Sequence, residues 1–565
     1  MKDVSLANQR EVSGQTALNQ NTPSSESGYF TNLVDLLEAC YTKYPNNPAV
    51  TNMGATLTYA ELGNLSTNFA SYLQHHLKIK QGDRVAIMMP NCLQYYIALH
   101  GILRAGGVVV NINPLYTPRE LAYQLNDAQC ENIILMTTSA SRLSEIISTT
   151  AVKNVILTQL GDFLGMIKGP LINWALKYIK RIVHPFALPQ AVNFKHALTL
   201  GAQYPFSPVT CSPNDMAFLQ YTGGTSGISK GAILSHANMC ANVWQARTWA
   251  GEYLEKYSQV ALSPLPMYHI FSLTITAFAV YSVGSHVILI TDPRDIPSLI
   301  KTWQQYPVTM LTGINTLYAA LLRNPDFSKL DFSTLKLAVS GGMGTREIVA
   351  TDWQRVTKKC IIEGYGLTEA SPVISINPIH TAHFNGTIGK ALVNTETKIC
   401  GDDGHSLPLG EAGELWVRGP QVMKAYWNNP QETTQVLTED GWLKTGDICS
   451  INEEGYIKLI DRKKEMIVVS GFKVFPNEVE EVLTSHPGIL EAAVIGVPDQ
   501  HSGEQVKAFV VRKHPDLTAE DIMSYCRENL TGYKRPHSVV FRDALPKTNV
   551  GKVLHRVLRD EEKSA

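Results

Sequence analysis

The chain has 565 residues, 44% of them hydrophobic and 18% charged, with a formal net charge of −1. That length holds about three to four domains' worth of core, and the composition is that of an ordinary globular protein. The balanced charge leaves no global basic field, which excludes nucleic acid as the main partner.

Residues 1–28 are rich in Ser, Asn, Gln and Thr and read as a disordered arm, without the apolar region a signal peptide needs. From Leu33 the apolar spacing is helical (Leu33, Leu36, Leu37, Cys40), and a second helix is predicted from Leu57 to about Leu77. VAIMMP at 85–90 reads as a strand, 93–105 as a helix and 107–113 as a strand; ENIILM at 131–136 and NVILT at 154–158 repeat the theme. Strand, helix, strand at this spacing predicts βαβ units and a parallel sheet.

Between 160 and 189 the character changes. Large apolar residues, among them Trp174, Tyr178 and Phe186, mix with Lys168, Lys177, Lys180 and Arg181. Two readings stand level: a basic amphipathic segment whose residues 168–181 touch an anionic inner-membrane surface, and an ordinary surface helix packed on its own domain. No run of about 18 apolar residues exists to span a bilayer.

The stretch YTGGTSGISKGA at 221–232 follows the apolar run MAFLQ at 216–220. Gly223, Gly224, Gly227 and Gly231 let backbone N–H groups approach an anion, while Thr222, Thr225 and Ser226 add hydroxyls and Lys230 a charge. A polyphosphate is the natural ligand. The expected setting is a turn from strand to helix, with Ser235 or Asn238 capping a helix that starts near Ala237. It is not a Walker A loop, because Gly231 follows the lysine.

VALSPLPMYHIF at 260–271 predicts a strand and a helix opening near His269, a residue that fits either a packed core or a site beyond a strand end. LKLAVSGGM, with Gly341 and Gly342, and CIIEGYGLTEA, with Tyr365, Gly366, Thr368 and Glu369, are further strands running into glycine turns. Three such strand ends suggest one ligand crevice. A carboxylate beside a polyphosphate calls for Mg²⁺ between them, so Glu369 and Thr222 are candidate metal ligands; the plainer reading of Glu369 is a helix N-terminal acid. After Thr387 the period shifts towards two, and GWLKTGD ends in Asp447, suited to gripping ribose hydroxyls or to an ordinary turn. DRKKEM at 461–466 packs five charges into six residues and reads as a linker. Beyond it, 467–565 has its own strand and helix rhythm and ends in LPKTNVGKVL, which contains Lys552. Nine scattered cysteines without a CxxC pair fit reduced thiols in a cytoplasm.

These motifs, in this order, resemble the acyl-adenylate-forming ligases over nearly the whole chain: YTGGTSGISKGA, LPMYHIF, SGGM, EGYGLTEASP, GELWVRGPQVMKAYW, GWLKTGD, DRKKEMI and LPKTNVGK. NINPLYTPRELAYQLND and the YKRP to LPKTNVGK ending are most similar to bacterial long-chain fatty-acid–CoA ligases. The resemblance implies an α/β fold: a large N-terminal domain over 29–460, made of two αβ-sandwich halves plus a distorted β-barrel, a hinge over 461–466 and a mobile α+β C-terminal domain over 467–565. It implies ATP, coenzyme A and a fatty acid as substrates and Mg²⁺ as cofactor, with activation to acyl-AMP followed by transfer to coenzyme A.

By the same resemblance Thr222, Gly223, Gly224, Thr225, Ser226, Gly227 and Lys230 hold phosphates. Thr368 touches the α-phosphate and Glu369 the metal; Tyr365 and Gly366 meet adenine against Gly341 and Gly342; Asp447 and Arg462 grip the ribose. Lys552 bridges the carboxylate and α-phosphate, His269 lines the approach, and Lys464 is the hinge. Ile228-Ser229 and Asn315 depart from the usual pattern without removing a charge. A medium-chain, aromatic or carrier-protein substrate remains an alternative, as does a nonreactive acyl-nucleotide-binding regulator, which the intact Lys552, Glu369 and Asp447 argue against. The expected location is cytoplasmic or peripheral on the inner membrane, and the oligomeric state is open between monomer and homodimer.

Overall fold

The structure, a computed structural model, describes residues 29–222, 229–255, 259–499, 501–548, 551 and 553–564. The N-terminal arm, residues 223–228 of the glycine stretch and Lys552 lie outside the described residues.

Two sheets make the large domain. In the first, of seven strands, Asn154–Thr158, Asn132–Met136, Arg84–Met88, Val108–Asn111 and Met216–Thr222 run parallel in that order. Their burial is nearly continuous, as a sheet covered on both faces requires. The helix Leu93–Arg104 is buried along its whole length between neighbours. The second sheet has nine strands. Its parallel centre contains Val260–Ser263, Met310–Gly313, Leu337–Ser340 and Ile361–Gly366.

One pairing was not legible as a strand. Pro48–Asn52 joins the second sheet beside His286–Leu289, over 200 residues away, and turns back through Ala55–Thr58. The second helix therefore starts at Tyr59 rather than at Leu57, fixed by a Thr58–Glu61 capping box.

The glycine stretch also differs from expectation. Thr222 pairs with Lys230 and Met216 with Ser235, so Met216–Thr222 and Lys230–Ser235 are the two arms of an antiparallel hairpin, and a strand rather than a helix follows the glycine stretch. Ser235 then caps the helix His236–Ala250. The reason is local: Gly231 to Leu234 can pair as a strand, and Ile233 N–H donates to the Ala425 carbonyl at 2.9 Å, adding a third chain segment beside the hairpin.

The unit after Thr387 is a four-stranded antiparallel sheet in the order Glu396–Cys400, Gly413–Arg418, Leu443–Ile451, Ile457–Arg462. Among the described residues its edge strands do not pair, so it is an open sheet rather than the expected distorted barrel; four strands are too few to enclose an interior. The small domain has its own sheet, which includes Ile489–Asp499 and Gly503–Arg512, the helices Pro476–Ser485 and Ala519–Asn529, and a separate apolar core.

The turn after Leu337–Ser340 is clamped from the next strand. Buried Glu363 accepts from Thr345 N–H at 2.8 Å, and the Thr345 hydroxyl reaches Ser340 Oγ at 2.8 Å. Burial pushes the Glu363 carboxyl up to about 7. Because this value exceeds the unfolded one of about 4.3, the folded state holds the extra proton between them, and stability falls as pH rises through that window. Glu363→Gln should remove that part of the pH dependence of urea unfolding between about pH 4 and 7. An unchanged profile would refute the assignment.

Candidate active site

The position of His269 is set by a buried polar seam between the two large sheets. Gln220, on Met216–Thr222, donates through Nε2 to the Tyr268 carbonyl at 2.7 Å, while its Oε1 accepts from Asn111 Nδ2 at 3.0 Å. The Tyr95 hydroxyl lies 2.7 Å from Asn111 Oδ1 and 2.9 Å from the Met267 carbonyl. Asn91 Nδ2 donates to the Leu265 carbonyl at 2.9 Å, and its Oδ1 accepts from Met267 N–H at 2.8 Å. Each of these side chains is buried with its main polar groups partnered, which makes the strand exit Ser263 to Tyr268 rigid.

His269 follows, at the start of a helix that continues with wider π-type turns over Leu273–Val280. It is partly buried at the cavity wall, and that burial pushes its imidazole down to about 4 and keeps it neutral. Its Nε2 has no hydrogen-bond partner among the described residues. His269 lines a cavity of about 240 Å³ whose walls include Trp249, Ile275, Met310, Val339, Gly341 and Gly342. This is an apolar slot with a single unsatisfied ring nitrogen.

A second, polar cavity of about 880 Å³ carries most of the remaining predicted residues. Thr222 and Lys230 face each other at the base of the hairpin. Lys230 pairs with Glu432 and lies 5.3 Å from the centre of the Tyr426 ring. The Tyr426 hydroxyl donates to Glu369 Oε1 at 2.5 Å. Burial, reinforced by Glu369, pushes that hydroxyl's pKa up, so it stays a donor. On the opposite wall Asp447 accepts from the Tyr365 hydroxyl at 2.5 Å and lies 3.4 Å from Arg462 Nε, its cross-strand partner. Lys463 reaches Glu414 at 3.2 Å, and Lys464 lines the same cavity.

Gly366, Leu367 and Thr368 line both cavities, so the apolar slot and the polar chamber meet there. A side chain at 366 cannot fit: a Cβ would stand 2.1 Å from the Pro372 carbonyl oxygen. The tip of the small domain reaches the same neighbourhood. Gly551, with φ +80°, packs so closely on Thr316 that a Cβ would lie 2.7 Å from its hydroxyl. Neighbouring Asn315, which departs from the usual pattern, accepts from Arg346 N–H at 3.0 Å and so has a task of its own.

The structure thus brings Thr222, Lys230, Thr368, Glu369, Gly366, Asp447, Arg462 and Lys464 to one chamber, and His269, Gly341, Gly342, Tyr365, Gly366 and Thr368 to the adjoining slot. Gly223, Gly224, Thr225, Ser226, Gly227 and Lys552 lie outside the described residues. Sequence reasoning missed Tyr426, next to last in the motif GELWVRGPQVMKAYW, because an aromatic among apolar neighbours reads as core. It missed Glu432 because an acid in the first turn of a helix reads as a dipole partner.

Known proteins match this arrangement along the chain. The family model described as AMP-binding enzyme matches residues 37–427, and that of the AMP-binding enzyme C-terminal domain matches 478–552. The long-chain-fatty-acid–CoA ligase of Escherichia coli O6:H1 is 49% identical over 532 residues, covering 94% of this chain and 95% of that protein. Its namesake in Bacillus subtilis strain 168 is 37% identical over 541 residues, 94% of each. Among solved structures, ATP-bound MatB from Rhodopseudomonas palustris aligns with a TM-score of 0.78 at 27% identity, covering 94% of this chain and 99% of that one. The anthranilate CoA ligase AuaEII in complex with anthranoyl-AMP aligns at 0.80 with 25% identity, covering 94% and 97%. With its two cavities joined at Gly366 to Thr368 and both family models matched in order, this chain belongs to the AMP-binding enzyme family.

Proposed function

We propose that the chain activates a long-chain fatty acid with ATP and passes the acyl group to coenzyme A. The observation that carries this reading is the shared wall at Gly366, Leu367 and Thr368, where an apolar slot opens onto a polar chamber. An acyl chain in the slot presents its carboxylate where a nucleotide in the chamber presents its α-phosphate. The ligases named among the relatives support this choice of substrate class.

In the first step a carboxylate oxygen attacks the α-phosphorus, the bond to the pyrophosphate oxygen breaks, and acyl-AMP forms. In the second the coenzyme A sulfur attacks the acyl carbon, its thiol proton is lost, and AMP leaves. Neither step asks much of a general base; both ask for alignment and charge neutralisation. Thr222, Thr225, Ser226 and Lys230 hold the β- and γ-phosphates, Thr368 the α-phosphate, and Asp447 and Arg462 the ribose; the adenine reaches past Gly366 to Tyr365, Gly341 and Gly342 where the slot adjoins the chamber. Neutral His269 offers a hydrogen bond at the carboxylate end of the slot. Glu369 and Thr222 would hold Mg²⁺, which supplies positive charge to the phosphate oxygens. These hard oxygen donors, which line one chamber, fit it: Mg²⁺ takes one or two carboxylates and fills its shell with phosphate and water.

Lys552 follows Gly551, whose seat on Thr316 supports a path from the small domain to the reacting carboxylate. The small domain then turns about Lys464 to admit coenzyme A. Lys552→Ala should lower acyl-AMP formation by about 100-fold or more, as expected for about 3 kcal/mol of transition-state stabilisation, while sparing thioester formation from supplied acyl-AMP. Equal loss in both half-reactions would refute the turning domain. Pyrophosphate release across a panel of acids tests the reading as a whole. No turnover with any acid would sink it, and turnover without consumption of coenzyme A would point to a carrier protein instead.

We also propose that residues 168–181, with the apolar side chains flanking them, rest on an anionic membrane surface. The helix Lys168–Trp174 docks through its smallest residue: Cβ atoms at Gly169 or Gly161 would each meet the other's carbonyl oxygen within about 2.2 Å. Asn173 Oδ1 accepts from Gly161 N–H at 2.8 Å on the same side. The other face is left outward, with Met166 96%, Ile167 78%, Ile179 65% and Trp174 54% exposed. Lys177, Lys180 and Arg181 lie among them, while the Lys168 ammonium donates to the Met53 carbonyl, and residues 163–190 contain no Asp or Glu. Apolar exposure with one sign of charge suits insertion at the headgroup level. No helix among the described residues is long and apolar enough to cross a bilayer. Changing Lys177, Lys180 and Arg181 to Glu should reduce co-sedimentation with phosphatidylglycerol vesicles at low salt; unchanged sedimentation would remove the proposal.

A further inference from the structure

Lys230 is already neutralised by a group of the protein itself. Its partner Glu432 lies in the short helix Pro430–Val436, whose first turn is held by Asn429: Oδ1 accepts from Glu432 N–H at 3.1 Å. The Lys230 and Glu432 side chains are only 17% and 31% exposed. Both ends of the pair are fixed to one scaffold. Trp427 N–H donates to the Gly231 carbonyl at 2.7 Å, and Tyr426 N–H to Thr433 Oγ1 at 3.0 Å, so the segment carrying Glu432 is laced to the strand carrying Lys230. The Tyr426 ring packs against Lys230, and its hydroxyl holds Glu369. A carboxylate on this lysine occupies the role of a phosphate oxygen: an anionic acceptor, directed at the same ammonium, in the same chamber.

We propose that Glu432 is a built-in competitor for the lysine that receives the β- and γ-phosphates. The inference rests on the assignment of this chamber to ATP. Polyphosphate must displace the Glu432 carboxylate from Lys230 to bind, and the carboxylate reclaims the lysine when pyrophosphate leaves. Glu432 thereby weakens the grip on both ATP and pyrophosphate, keeps Lys230 aimed into the chamber between turnovers, and favours release of the first product. A nucleotide without β- and γ-phosphates does not compete for Lys230, so AMP is outside its influence.

That difference between ligands is the test. Binding of ATP, pyrophosphate and AMP to the full chain is measured by titration calorimetry with Mg²⁺ present, for the unaltered protein, Glu432→Gln and Glu432→Asp. Glu432→Gln should bind ATP and pyrophosphate about tenfold more tightly, an ordinary strength for a half-buried ion pair, with AMP unchanged. Pyrophosphate should also become a correspondingly stronger product inhibitor. Glu432→Asp keeps the charge and should fall between the two. ATP and pyrophosphate affinities that stay the same or weaken in Glu432→Gln would overturn the proposal, as would an equal change for AMP, which would mark a merely structural pair. Thermal melts of each variant identify misfolding, and Glu432→Asp then carries the comparison alone. If the unaltered protein fails to bind ATP, the assignment of the chamber falls instead.

Discussion

Gln220 donates to the Tyr268 carbonyl at 2.7 Å across the junction of the two large sheets, and the site depends on that contact and its neighbours Asn91, Tyr95 and Asn111. Each sheet alone offers only strand ends. The seam sets one sheet against the other, so the hairpin of the first faces the glycine turns of the second. Buried amides and a phenol suit this work because each loses its water on burial and recovers its free energy only when both partners are in register. A slip of one residue along the junction would leave several such groups unpaired. The seam therefore specifies position more sharply than an apolar contact could.

The two cavities divide the chemistry by polarity. The slot is lined mostly by apolar side chains, and partial burial at its wall keeps the His269 ring neutral. The chamber gathers Lys230, Arg462, Lys463 and Lys464 with Glu369, Glu414, Glu432 and Asp447. Internal pairing keeps these charges tolerable in a partly dry space, since an unpaired buried charge costs several kcal/mol. The same pairing means that an anionic substrate enters by exchange of partners rather than by filling an uncompensated positive hole.

The small domain is tied to the large one by directional contacts at the linker. Asp461 accepts from Asn477 N–H at 2.8 Å, and burial pushes its carboxyl up to about 6. The small domain's apolar core is its own, so turning it about the linker would break a few polar contacts and leave that core intact.

Much of this was legible in the order of residues. Short-range rules located the parallel strands, the helix Leu33–Lys43 and the glycine turns, because their signals are apolar spacing and turn residues close together in the chain. The resemblance of the motifs pointed to Thr222, Lys230, Thr368, Glu369, Asp447, Arg462 and Lys464, which line one chamber, but not to Tyr426 or Glu432 beside them. Three features were decided only in three dimensions. The strand Pro48–Asn52 exists because its partner arrives from over 200 residues away. A strand rather than a helix follows the glycine stretch because residues near 425 lace onto it. Glu432 met Lys230 because folding brought an acid from the first turn of a helix across a gap of 202 residues. A sequence displays charge, size and local spacing. Which distant groups share a dry cavity, and therefore which charges must compensate one another, is settled only when packing removes the water between them.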